Sequence, residues 1–365
     1  MKAKNPDWIV FFAVVSLMAF GVIMVFSATS VTAYQKYDDS FHFLKRQVVW
    51  VALALGVMFF LMRIDYHKFF RSFWQPVGYL VLSLILLGLV LVIGTEINGS
   101  KRWLSAGGVN FQVSEIAKLG MVMFTAWYLD KWKDHIRNFF VGLAPILAIL
   151  GVVCVLILME PDLGTTAVIG ATCFVMLFAA GARVIHLGSL VAVSAPLGVY
   201  AMLSESYRRK RIFAFINPWE DPQGTGFHII QSLYALGSGG LFGVGLGRSR
   251  QKFFYLPEPG TDFIFSVLGE ELGLVGTSIV IGLYFLLAWR GLMIALKAQD
   301  MLGSMLAVGI TTMITLQAIV NMGVVTGSLP VTGITLPFIS YGGSSLVFMA
   351  IGIGLLLNIS RYSNQ

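Results

Sequence analysis

An all-α membrane protein of about ten transmembrane helices is the fold class this sequence predicts, and three observations predict it. Hydrophobic residues fill 57% of the 365 positions. Charged residues make up only 12%, against about 25% in a soluble domain. Apolar runs long enough to cross a hydrocarbon core of about 30 Å recur from one end to the other. No stretch is left for a separate soluble domain, so residues 1–365 read as a single polytopic membrane domain.

The spans follow in order at about 8–28, 46–62, 76–95, 112–129, 139–159, 165–180, 186–203, 263–289, 304–324 and 345–359. Lys2 and Lys4 precede the first, which resembles a signal sequence. The run from Trp8 to Phe26 is too long for one, however, and no A-x-A site follows, so an uncleaved first helix is expected. The second, sixth and tenth spans are short and tilt little. The fourth opens with Ser114 and Glu115, a helix-start pattern. A tight acidic turn, Glu160-Pro161-Asp162-Leu163-Gly164-Thr165, joins the fifth to the sixth. After the seventh comes a loop from about 204 to 262. The last two spans are separated by an uncharged segment rich in Gly, Pro, Ser and Thr (327–345). Such backbone survives at membrane depth only when buried in protein, so it is expected to pack over the outer mouth of the bundle.

Lysine and arginine set the orientation. With the N-terminus inside, the inner segments carry twelve, among them Arg63, Lys68, Lys131 and Arg183. The short outer segments carry five: Lys36, Lys45, Arg46, Lys101 and Arg102. Both termini are thus placed in the cytoplasm, and the 204–262 loop is extracytoplasmic, between helices 7 and 8. The net charge of +7 is spread over these clusters, which argues against nucleic acid as a partner. Cys154 and Cys173 lie inside apolar runs, and the five histidines are scattered without metal-ligand spacing.

Ionisable groups inside or beside spans are costly and mark candidate sites. The strongest run is 247–263, where Arg248, Arg250 and Lys252 precede Glu258 and Asp262 just before an apolar helix. Asp262 stands where a helix cap would, leaving two readings: a capping aspartate, or a carboxylate facing a cavity at the membrane boundary. Glu270 and Glu271 follow about two turns into that helix. Adjacent carboxylates do not share a face, so at most one of them points at a given cavity, and a lysine partner is the alternative. Glu115 and Lys118 are spaced to pair with each other, yet Lys118 lies deep enough to need a carboxylate. Lys101 and Arg102 beside Trp103 suit an anionic headgroup. Asp162 either caps the sixth span or joins the site. Ser344, within Ser340–Ser345, either brings backbone N–H groups to an anion or allows close packing. The G-x-G-x-G of 243–247 lacks a following G-K-[ST] and is no nucleotide loop. Phe227–Leu236 suits a short interfacial helix, and Arg208-Arg209-Lys210-Arg211 ahead of it suits either surface anchoring or a lipid-linked phosphate.

These runs resemble those of the SEDS family (shape, elongation, division and sporulation), over nearly the whole chain. Asn217-Pro218-Trp219-Glu220-Asp221-Pro222, the 247–262 run and Pro330–Phe338 carry the resemblance most specifically. In detail they are closer to the division and sporulation members than to the elongation members. The resemblance implies a peptidoglycan glycosyltransferase that polymerises lipid II at the outer face of the bacterial cytoplasmic membrane. It implies that Asp262 is the essential acidic residue, and that Lys101, Arg102, Glu115, Lys118, Asp162, Glu258 and Ser344 line the central cavity. It also implies a class B penicillin-binding protein transpeptidase as partner, with other division or sporulation membrane proteins. Two positions depart from the family pattern. Val113 stands where proline is usual, and Glu160 where glutamine is common.

An α-linked diphosphate donor and a β-1,4 product require one inversion at carbon, so no covalent intermediate is needed. Asp262 is then the expected general base. Lys101, Arg102, Lys118 or an arginine of the 248–252 stretch would neutralise the leaving diphosphate, with Arg248 and Lys252 among the expected substrate-binding residues, and a divalent cation such as Mg or Mn would be able to share that task. Two alternatives stay open from the residues alone: a lipid II flippase using the same cavity, and a non-catalytic division scaffold.

Overall fold

The structure is a computed structural model that describes residues 5–97, 100–106, 109–252 and 256–363. Lys2, Lys4, Asn98, Gly99 and the Phe253–Tyr255 part of the 247–263 run lie outside these residues. The helices, in order, are α1 (Trp8–Tyr37), α2 (His42–Arg63), α3 (Trp74–Ile93), α4 (Val113–Lys131), α5 (Ala144–Met159), α6 (Leu163–Ala179) and α7 (Val184–Ser204). They are followed by α8 (Ser206–Ile216), α9 (Phe227–Gly239), α10 (Ile264–Lys297), α11 (Met301–Val325) and α12 (Gly343–Tyr362).

Each of the ten expected spans corresponds to one long helix. Eight are long and apolar enough to cross a membrane on their own terms; residues 139–159 count as one of these. The other two differ for physical reasons. α4 carries Glu115 and Lys118, and α6 has only 17 residues, which is about 26 Å of helix. α1 outruns its expected end by nine residues, because no proline or glycine interrupts it before Asp38, whose left-handed backbone (φ 53°) closes the helix. The chain is a multi-pass membrane protein.

Both ends of the chain meet at one end of the bundle. The Asp7 N–H donates to Ser360 Oγ (2.9 Å), and Arg290 Nε donates to Asp7 Oδ2 (2.9 Å). The Tyr66 N–H donates to Asn358 Oδ1 there as well (2.9 Å). By the lysine and arginine distribution this is the inner end of the bundle and the opposite one the outer end.

At the outer end the sequence reading missed a sheet. β1 (Thr95–Ile97), β2 (Ser100–Ala106) and β3 (Val109–Gln112) form an antiparallel meander in the loop before α4, with Trp103 opposite Gln112 and Leu104 opposite Phe111. Strands this short carry too few alternations for periodicity to reveal them. The uncharged loop after α11 packs inward as expected, burying Ile334, Leu336, Phe338 and Ile339.

α10 is broken at Gly273 (φ 65°, ψ −161°), a conformation that excludes a side chain bearing Cβ. The break frees four backbone groups, and the segment after α9 takes them up. Val244 and Gly245 N–H donate to the carbonyls of Glu270 and Glu271 (3.0 and 3.1 Å). Leu274 and Val275 N–H donate to the carbonyls of Gly240 and Leu241 (2.9 and 3.1 Å). The long loop is thus a folded cap, with α8 and α9 inside it.

Candidate active site

Asp262 sits one turn of loop before α10, yet it does not cap that helix. The cap position is Phe263, and no side chain bonds to the first-turn N–H groups. The Asp262 carbonyl oxygen, by contrast, is held by Asn321 Nδ2 (2.7 Å), which also donates to the carbonyl of Ile334 (2.7 Å). α11 therefore fixes the backbone on both sides of the site and leaves the carboxylate free to work. The carboxylate is half-buried beside Gly333, where a Cβ would stand 3.6 Å from Oδ2. Burial and the nearby Glu258 carboxylate push its pKa up to about 6, against the pull of Arg102 and Arg211. Glu258 holds a left-handed backbone (φ 50°), a conformation that costs a non-glycine residue of order 1 kcal/mol and that turns the chain towards Asp262.

Opposite stands Arg102. Alternation along β2 sends Arg102 inward and leaves Lys101 exposed. The guanidinium forks onto the α5–α6 turn. Nε donates to the Glu160 carbonyl (2.9 Å), one terminal nitrogen to the Pro161 carbonyl (2.6 Å), and the other lies 3.8 Å from Asp162 Oδ2. Asp162 serves both of its expected roles. It caps α6 through Thr165 N–H and Oγ1 (2.9 Å each), and it faces Arg102. Glu160 is fully buried, and its carboxyl oxygens meet no donor among the described residues. Burial and Asp162 push its pKa up to about 8, so it is a neutral acid at pH 7. That neutrality explains how a carboxyl is tolerated next to Asp162.

Below this rim lies a narrow cleft of about 20 Å³, lined by Gln112, Glu115, Lys118, Thr165, Val168, Gln317 and Gly333 to Thr335. Lys118 Nζ is 2.8 Å from Glu115 Oε1 and donates to Gln317 Oε1 (2.6 Å); Gln317 Nε2 donates onward to the Thr335 carbonyl (3.1 Å). Both charges are buried, so each depends on the other. Lys118→Met is expected to cost about 3–5 kcal/mol of stability by stranding Glu115, with most of it regained in Glu115→Gln/Lys118→Met. Thermal unfolding of the two purified variants beside wild type checks this.

Three candidates are placed elsewhere. Lys252 is buried against Glu271 (3.3 Å) and donates to the Gly247 carbonyl (2.6 Å), away from the cleft. Arg248 is exposed on the same segment. Ser344 is buried, and its hydroxyl accepts from the Gln112 N–H (3.2 Å), which pins the start of α4. Next to it a Cβ on Gly343 would collide with the Trp50 ring, so this Gly-Gly-Ser-Ser stretch is a close-packing device.

The sequence reading missed Gln317 and Asn321, although they stand four apart on one face of an apolar helix, which is a readable signal. It took Arg211 only as part of a cationic run. Arg211 reaches the Val331 carbonyl (3.4 Å) and acts on both Asp262 and Asp162. His228 stacks on Phe263 (centroids 5.8 Å apart), with burial and Arg211 holding its pKa down. Among the described residues no three of His, Cys, Asp and Glu group closely enough to hold a metal ion. The carboxylates at the rim are flanked by Arg102 and Arg211, a donor set that does not fit a resident divalent cation.

A bundle of ten long helices, with a folded outer loop that sets a carboxylate against two arginines over a polar cleft, defines a membrane protein with a site at one face. Residues 7–365 match the FtsW/RodA/SpoVE family of cell cycle proteins. The chain is 49% identical to stage V sporulation protein E of Bacillus subtilis, covering 99% of each. It is 45% identical to the probable peptidoglycan glycosyltransferase FtsW of Geobacter metallireducens, covering 98% of this chain and 96% of that one. Among solved structures it resembles a chain from work titled as the structural coordination of polymerization and crosslinking by a peptidoglycan synthase complex (TM-score 0.79, 33% identity, 98% and 99% covered). It also resembles the rod shape determining protein RodA of Thermus thermophilus (TM-score 0.71, 31% identity, 98% of each covered). The chain belongs to the FtsW/RodA/SpoVE family.

Proposed function

We propose that this family member is a peptidoglycan glycosyltransferase that polymerises lipid II at the outer face of the cytoplasmic membrane, with Asp262 as the general base. The observation that carries the reading is the Asp262 carboxylate itself. It is unused by the helix it precedes, half-buried, raised towards neutrality, and faced by two arginines. In the reaction, the 4-hydroxyl of the acceptor sugar attacks the anomeric carbon of the donor as its proton passes to Asp262. The carbon–oxygen bond to the diphosphate breaks, and the polyprenyl diphosphate leaves with the electron pair. One displacement inverts the centre from α to β. The leaving group is already an anion, so it needs cations rather than a proton.

Arg102 and Arg211 are the cations for that task. Lys118 is committed to Glu115, Lys252 to Glu271, and Lys101 and Arg248 are turned to solvent. The cleft beneath has central room for about one water molecule, so sugar binding requires it to widen. A transport route finds little support here. Below Lys118 the packing leaves no room for a water molecule and is mostly apolar, with Met121, Val122, Ile169 and Met313 closing it. As partner we propose a class B penicillin-binding transpeptidase, whose single helix would dock on α10, where Phe285, Ile281 and Trp289 are exposed. Co-purification, with a rise in polymerase rate when the partner is added, tests that pairing.

The pH dependence follows from the sign of the shift. A base is active when deprotonated, and the Asp262 pKa lies at about 6 instead of the ordinary 3.8. The rate of glycan formation is therefore expected to be flat above pH 7 and to fall about tenfold per unit below 6. An acid limb centred near 4 would remove Asp262 from the role.

A further inference from the structure

We propose that Glu270 and Glu271, neither of which faces the cleft, form a positioning pair that clamps the 247–252 strap and thereby sets the place of Asp262; the inference rests on the polymerase reading above. Adjacent residues on a helix point about 100° apart. Here the strap wraps α10 closely enough to use both directions. Glu270 accepts from Ser249 Oγ, from the Arg250 N–H (2.8 Å) and from the Gln251 N–H (3.4 Å). Glu271 accepts from Ser27 Oγ of α1 (2.6 and 2.7 Å) and from the Ser249 N–H (3.3 Å), and pairs with Lys252 (3.3 Å). Both carboxylates are essentially fully buried. Two buried charges are retained one turn from a helix break, each spending its hydrogen-bonding capacity on the strap and on α1.

A hydrogen bond ties the strap to the segment that leads into the catalytic turn. The Leu256 N–H donates to the Gln251 carbonyl (2.9 Å), and the Thr261 N–H to the Glu258 carbonyl (3.2 Å). From there Ser340 Oγ holds the Thr261 carbonyl (2.6 Å) and the Tyr341 N–H holds that of Gly260 (2.9 Å). Asp262 is thus held by the α11–α12 loop on one side and by the clamped strap on the other. Releasing the strap moves the base relative to Arg102, and misplacement by about 1 Å costs on the order of a hundredfold in rate.

The three donors to Glu270 are neutral and divided between its two oxygens, the Arg250 N–H on Oε1 and Ser249 Oγ and the Gln251 N–H on Oε2, so a glutamine, with one oxygen, keeps part of the clamp and an alanine none. The test is lipid II polymerisation by purified full-length Glu270→Ala and Glu270→Gln. The alanine variant is expected to lose about 10- to 100-fold in kcat with KM within threefold, and to shift the midpoint of the acid limb. The glutamine variant is expected to lose less than the alanine variant, by about 3- to 10-fold, with a smaller shift of the midpoint. Equal loss in both with an unmoved midpoint would mark Glu270 as a catalytic carboxylate and overturn the clamp, as would full activity in the alanine variant. A readout independent of activity is the reaction of a membrane-impermeant maleimide with Thr261→Cys, expected to quicken at least tenfold when Glu270→Ala is added. An unchanged rate overturns the clamp even where wild type makes no glycan, which would separately remove the polymerase reading.

Discussion

Asp262→Asn is expected to abolish glycan formation from lipid II, by about 10²–10⁴-fold, in a protein that folds and inserts normally. The asparagine has the shape of the aspartate but does not take a proton. The backbone bonds that hold residue 262 run through its carbonyl oxygen and Asn321, which the substitution does not touch. Stability moves in the opposite direction to activity. A carboxylate whose folded pKa lies above its unfolded value loses stability as pH rises from about 4 through 6, because the folded site disfavours the charge. At pH 7 the asparagine variant escapes that penalty, so its Tm is expected to equal or exceed that of wild type. Loss of activity together with loss of Tm would point to misfolding instead.

Arg102→Ala is expected to lower kcat/KM by about 10²–10³-fold. Two effects add. The leaving diphosphate loses a cation, and the carbonyls of Glu160 and Pro161 lose the fork that fixes the α5–α6 turn. Arg102→Lys is expected to recover little, because a single ammonium does not reach both carbonyls and Asp162 in the geometry that a planar guanidinium does. Arg211→Ala is expected to cost less, since its hydrogen bond to the Val331 carbonyl is long (3.4 Å). Steady-state rates of the three variants, with inorganic pyrophosphate as a competing ligand, read the two effects apart: weakened inhibition by pyrophosphate reports the cation.

Much of this was legible in the residues, for identifiable reasons. The ten spans are written in apolar runs of the right length, and even α4 showed through because its Glu115 and Lys118 pair within the helix. Asp262, Arg102 and Asp162 stood out because charge beside an apolar run is costly. What stayed hidden was the partnering. Lys118 and Lys252 look alike as cations near a membrane boundary, yet the first lines the cleft, paired with Glu115, and the second is tied to Glu271, a choice made by tertiary packing. Spacing did not separate capping from catalysis at Asp262 and Asp162; the structure gives Asp162 both its cap and Arg102, and leaves Asp262 uncapped. The 204–262 loop read as a long connection, whereas its role as a folded cap depends on the break at Gly273, which one glycine among 39 does not announce.

The most direct measurement is glycan chain formation from purified lipid II by wild type and Asp262→Asn side by side, with lipid II binding followed on the same preparations. The account predicts glycan strands from wild type, none from the variant, and similar binding by both. Polymerisation by the variant at the wild-type rate would contradict the assignment of Asp262 as the base.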